Sequence, residues 1–360
     1  MNKGNGKGIA AKGAVVCAAV LAAVMVLTSM SCAKKDGGDR LYIYNWTYYC
    51  PDSVIEKFEK EFGIRVIYDM YDTNEAMLAK LQSGGAGYDL VFPSADYISI
   101  MQSQGMLAKI DTSKIPNLVN IDPLIKARCE FDPDFEYHVP YYYGAPGIMV
   151  NTEKVPVFEK SFSVFERPDL KNRMVMLDEM RHIMGAALIK LGYSVNTRNP
   201  QEINAARDYI AAKWKPNLTK FDSEGFGKGY VIGDFLVVFG YYEAVLDEVT
   251  GNGNLLTNTE FFIPEEGGPA YLDGMCILKN AKNVEAAHQF INFIHRPDIY
   301  AEFTDYFGFP STVNIPAREL KARAPFVSEE AMLRTHLEYD VDEALDFYNE
   351  AWFNTIRIGE

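Results

Sequence analysis

The chain of 360 residues has 48% hydrophobic and 23% charged side chains, the balance of an ordinary globular protein, and is long enough for two lobes. Its net charge of −14 speaks against nucleic acid and anionic membrane surfaces as partners. Five cysteines without a C-x-x-C pair argue against a disulfide scaffold and a zinc knuckle.

The first elements concern export. Lys3, Lys7 and Lys12 precede an uncharged run over residues 13–31 that is apolar between Ala14 and Leu27, too short for a comfortable membrane span. Ser29-Met30-Ser31 then leads into Cys32. Small residues before a cysteine resemble a bacterial lipoprotein cleavage site, which implies a signal peptide over 1–31 and a lipid anchor on Cys32. Cleavage there removes three lysines and no acid, moving the net charge from −14 to −17. Residues 33–39, small, charged and glycine-rich, read as a flexible tether.

Folded structure is expected from Arg40. Alternating residues over 41–46 predict a strand, and Pro51-Asp52-Ser53 opens a helix with Val54, Ile55, Phe58 and Phe62 on one stripe, stopped by Gly63. A strand over 65–71, a helix over 74–83 and a short buried strand over 89–92 complete a β-α-β-α-β run, so a mainly parallel sheet follows. The same style returns with a strand over 173–177, helices over 183–191 and 201–213, and a strand over 230–239 broken by Gly233. The stretch 143–150 is the expected crossing between lobes. A cleft between them lies at the C-terminal ends of the strands, where open α/β sheets bind ligands.

Two distant segments carry the chemistry: Tyr44-Asn45-Trp46-Thr47-Tyr48-Tyr49 and Ala270-Tyr271-Leu272-Asp273-Gly274. Each sets large aromatics beside a polar group. That pairing suits an aliphatic cation, because aromatic faces attract ammonium and cover methylenes while a carboxylate neutralises the charge. Period-2 alternation places Tyr271 and Asp273 on one strand face.

These segments, with Gly84-Gly85-Ala86-Gly87-Tyr88-Asp89 and the Pro93-Ser94 that follows, resemble the periplasmic spermidine/putrescine-binding proteins of ABC importers. The resemblance implies a two-lobed periplasmic-binding-protein fold of type II, α/β, with mainly parallel sheets flanked by helices. Lobe 1 would take 40–145 and 276–315, and lobe 2 would take 146–275 and 316–360. It implies ligand contacts at Trp46, Thr47, Tyr49 and Ser94, with Asp96 or Tyr97 beside them. In the second lobe Glu179 matches one member of a carboxylate pair, but His182 stands where the other belongs, and Asp178 could compensate. Phe239 replaces a tryptophan, Glu243 could supply an acid near that wall, and Phe309 replaces a tyrosine. Tyr271 and Asp273 match the family's aromatic and central carboxylate, and Glu338 lies near the contact for a distal amine.

Enzyme signatures are absent. The histidines, His138, His182, His288, His295 and His336, form no H-E-x-x-H, G-x-S-x-G does not occur, and Asp132-Pro133-Asp134 starts a calcium-like loop that Tyr137 breaks where glycine is needed. No catalytic residue, cofactor or metal is expected. The reading is an extracytoplasmic receptor, monomeric, for putrescine or spermidine with a lean to putrescine, delivering cargo to a membrane permease. The alternatives are a receptor for another small solute or a carboxylate-pair hydrolase.

Overall fold

A computed structural model of the chain describes residues 39–357 apart from 48, 85–86, 250–256, 309–311 and 323–326. The signal peptide, Cys32 and the tether up to residue 38 lie outside the described residues, as do Tyr48 and Phe309. Strands β1 (Arg40–Trp46), β2 (Arg65–Tyr71), β3 (Leu90–Val91) and β4 (Val139–Gly144) come first. Helices α1 (Asp52–Phe62), α2 (Asn74–Gln82) and α3 (Ala95–Ser103) fill the intervals. The forms follow from the sequence: Gly63, at φ 67°, turns the chain out of α1, and the Thr73 hydroxyl accepts the Ala76 N–H at the start of α2. β1 pairs in parallel with β2 and β3.

After Gly144 the chain crosses to β5 (Gly147–Asn151), β6 (Met174–Met176), β7 (Leu218–Phe221), β8 (Val237–Gly240) and β9 (Thr259–Phe262). These form a second sheet in the order β7-β6-β8-β5-β9. Helix α4 (Met180–Lys190) is buried along most of its length against this sheet's core. The chain then returns as β10 (Gly268–Ile277) and β11 (Thr335–Leu337), giving a first sheet ordered β11-β10-β3-β1-β2, with β4 also on β10. Asp89 ties this sheet to the helix that follows β10: its carboxylate accepts N–H bonds from Tyr42, Lys282 and Asn283 at 2.9–3.0 Å.

Three expectations change. The lobe boundary moves, because all of β10 pairs within the first sheet; the return falls before Gly268 and not after residue 275. Val327 and Leu337 pack in the first core, and only the chain from about Val341 to Ile356 joins the second. Residues 230–239 are not one strand: Phe226–Val231 is helical, Gly233 turns at φ 81°, and only Val237–Gly240 is extended. Gly229 permits this, since a Cβ there would sit 2.3 Å from the Phe235 ring. The helix read over 201–213 is α-helical over Pro200–Tyr209 and continues as a wider turn over Ile210–Trp214.

Candidate functional site

On the first lobe the site centres on Asp273, only 5% exposed in mid-β10. A register shift between Asp273 and Gly274 and a bridge to Ser94 bend the strand here. Gly274 allows close packing, because a Cβ would meet Ile98 at 2.8 Å and His138 at 3.0 Å. Tyr49 donates its hydroxyl to Asp273 Oδ2 and Ser94 donates to Oδ1, both at 2.7 Å. Tyr141 donates to the Tyr49 carbonyl and Asn74 Nδ2 to Ser94 Oγ, which fixes both donors. Burial pushes the Asp273 carboxyl up to about 6; the two hydroxyls and His182 pull down, and Asp96 adds to the rise. Burial likewise raises Asp96 to about 6, opposed by the Arg181 charge and reinforced by Glu338.

From the second lobe, α4, preceded by Glu179 at its cap position, sends His182 inward. His182 Nδ1 lies 2.7 Å from Glu338 Oε2, and Nε2 lies 2.9 Å from the Tyr241 hydroxyl and 3.4 Å from Glu179 Oε2. Tyr241 donates its own proton to Glu179 at 2.8 Å. Burial disfavours the charged ring, but Glu338 and Glu179 outweigh it, and the imidazole is raised to about 9. Between the two groups stands Tyr271, perpendicular to Tyr241 at 5.8 Å and 6.3 Å from His182. Burial raises the Tyr49, Tyr241 and Tyr271 phenols well above their usual range, so all stay neutral donors. The result is a largely buried set of acids and aromatic rings from both lobes, suited to a cation with an apolar stem. Among the described residues no group of three or more His, Cys, Asp or Glu is placed to hold a metal, and no helix is long and apolar enough to cross a membrane.

The family model of bacterial extracellular solute-binding proteins matches residues 53–329. The chain belongs to that family. The spermidine/putrescine-binding periplasmic protein of Salmonella typhimurium is 37% identical over 94% of this chain and 98% of its own. The putrescine-binding periplasmic protein SpuD of Pseudomonas aeruginosa is 35% identical over 75% and 77%. The crystal structure of the Tp0655 (TpPotD) lipoprotein of Treponema pallidum superposes with a TM-score of 0.85 at 48% identity, covering 88% of this chain and 99% of that one.

In this solute-binding protein, Tyr49, Ser94, Asp96, Glu179, Tyr271, Asp273 and Glu338 converge. Glu243 is half-buried and its charge acts on Tyr271 and Tyr241. Trp46 lies at the edge, donating Nε1–H to the Phe92 carbonyl at 2.8 Å and packing on Tyr71 at 4.8 Å. Thr47 donates to Asp72 at 2.6 Å, securing the loop after β1. Three residues stand elsewhere. Phe239 is fully buried, edge-on to Phe162 in the second core, and so is no cleft wall. Asp178 is exposed and pairs with Arg357 at 3.1 Å, so it does not stand in for a missing carboxylate. Tyr97 bonds to Glu75, leaving Asp96 as the inward member of that pair.

Sequence reasoning missed Tyr241 and Arg181. Tyr241 lies two residues beyond Phe239, just past the end of β8, and the aromatic pair Tyr241-Tyr242 was its one signal. Arg181 bonds to the Tyr339 carbonyl and Asn196 Oδ1 and brings a cation near Asp96; nothing local in the sequence marks it. Cys50, Cys129 and Cys276 are free thiols.

Proposed function

We propose that this protein is the extracytoplasmic receptor of an ABC importer for polyamines, putrescine or spermidine, anchored to the membrane through Cys32 and acting as a monomer. Asp273 carries the reading: a carboxylate held by two hydroxyls and stripped of water is costly as a bare anion, and an ammonium group answers that cost. Tyr271 beside it supplies the aromatic face for the methylene stem. Four buried methylenes contribute about 3 kcal/mol. Each ammonium bonded to a carboxylate adds about 1.5–3 kcal/mol. Together these reach micromolar affinity before ordering costs are counted.

Delivery to a permease follows from closure. A ligand that touches Asp273 on one lobe and Tyr241 or Glu243 on the other makes all its contacts only when the lobes meet, so binding shifts the population to the closed form. Nothing in this scheme alters a covalent bond, in keeping with a binding-protein family. Titration calorimetry with putrescine and spermidine tests it: saturable binding of at least one, returned unchanged, is the expected result, and no heat with either would end the polyamine assignment.

A further inference from the structure

The cleft holds its own cation. His182 sits between the Glu338 and Glu179 carboxylates, at 2.7 Å and 3.4 Å, and is bridged to Glu179 a second time through the Tyr241 hydroxyl. The groups facing it are Glu338 from the segment after β11, Glu179 at the head of α4, Tyr241 after β8 and Tyr271 from β10; Arg181, next to it on α4, opposes its charge, and Asp273 feels it. Asp273 differs: its carboxylate is bonded to two hydroxyls and, among the described residues, has no cation within ion-pair distance.

We propose that His182 sets cargo length: its imidazolium engages the Glu338 and Glu179 carboxylates, so this end of the cleft is closed to a further ammonium group and the site takes a diamine in preference to a triamine. The proposal rests on the polyamine reading and goes beyond it. A triamine must bring a third ammonium, and the two acids at this end already share the positive charge of a ring that is 7% exposed and braced on both nitrogens. Displacing the ring would leave a buried imidazolium unpaired. Selectivity then comes from a repulsive element as much as from an attractive one.

The test is the ratio of putrescine to spermidine affinity, by titration calorimetry, in wild type and His182→Gln. Glutamine keeps hydrogen-bonding capacity and removes the charge, freeing two carboxylates. Wild type is expected to favour putrescine by about tenfold or more, and the variant to shift the ratio about tenfold toward spermidine. A ratio within about threefold of wild type overturns the role of His182, as does a wild type that favours spermidine. Wild type that binds neither amine overturns the polyamine reading and this proposal with it. Nitrogen NMR of the wild-type histidines gives a readout independent of the variant's folding: one ring protonated on both nitrogens at pH 7.5 is expected, and five neutral rings would overturn the assignment.

Discussion

Asp273 sets the energetics at the scale of single residues. Its carboxyl titrates near 6 in the fold against an ordinary 3.8, so the folded chain holds a proton that the unfolded chain has lost. Stability therefore falls as pH rises through that window, and the ionised group costs roughly 2–3 kcal/mol at neutral pH. Asp273→Asn is accordingly expected to raise the melting temperature of ligand-free protein at pH 7.5; a clear fall would show that the carboxylate helps hold the fold. A cation, by contrast, needs the charge. Polyamine affinity should drop about tenfold for each pH unit below 6 as Asp273 is protonated, and flat affinity from pH 7.5 to 5 would contradict this. His182 runs in the same sense over a higher window, although there the charged form is the one favoured: held near 9 against 6.5, it contributes stability that is complete below 6.5 and lost as pH rises through 9. Legibility at this scale divided by how many segments a role needs. Asp273 and Tyr271 share one strand face and were readable from period-2 alternation. His182 was seen only as a carboxylate's absence, because its partners Glu338 and Tyr241 come from segments 156 and 59 residues away.

Among the elements, β1, β2, α1 and α2 were legible because local patterning sufficed: alternation in the strands, an apolar stripe, the Pro51-Asp52-Ser53 opening and a terminal glycine. β10 was misassigned to the other lobe because strand pairing is non-local; its partners β3, β4 and β11 lie both before and well after it in the chain. The stretch 230–239 was misread because two glycines, 229 and 233, let Phe235 fold back, which apolar content alone does not reveal. α4 meets β10 across the site, and Gly185 is the close point: a Cβ there would fall 2.8 Å from Glu338 Oε1 and 3.4 Å from Pro269. Gly185→Ala should therefore dislodge Glu338 from His182 and cost about 1–3 kcal/mol. The denaturation midpoint checks this, and an unchanged midpoint would mean that the helix and strand have slack.

For the whole molecule, three crossings between the sheets, near 145, 265 and 340, join lobes whose contacts meet at Tyr271, His182 and Tyr241. The anchor proposed at Cys32 would extend the account to the membrane: Cys32→Ser should lose partition into the detergent phase, and equal partition of mutant and wild type would remove the anchor. Closure around a cation is the central claim, and Asp273 is the group it depends on. Removing one partner of a buried charge pair costs about 2–5 kcal/mol. Titration calorimetry of putrescine into Asp273→Asn should thus give affinity weaker than wild type by about thirtyfold to several thousandfold. Binding within about threefold of wild type would contradict the account.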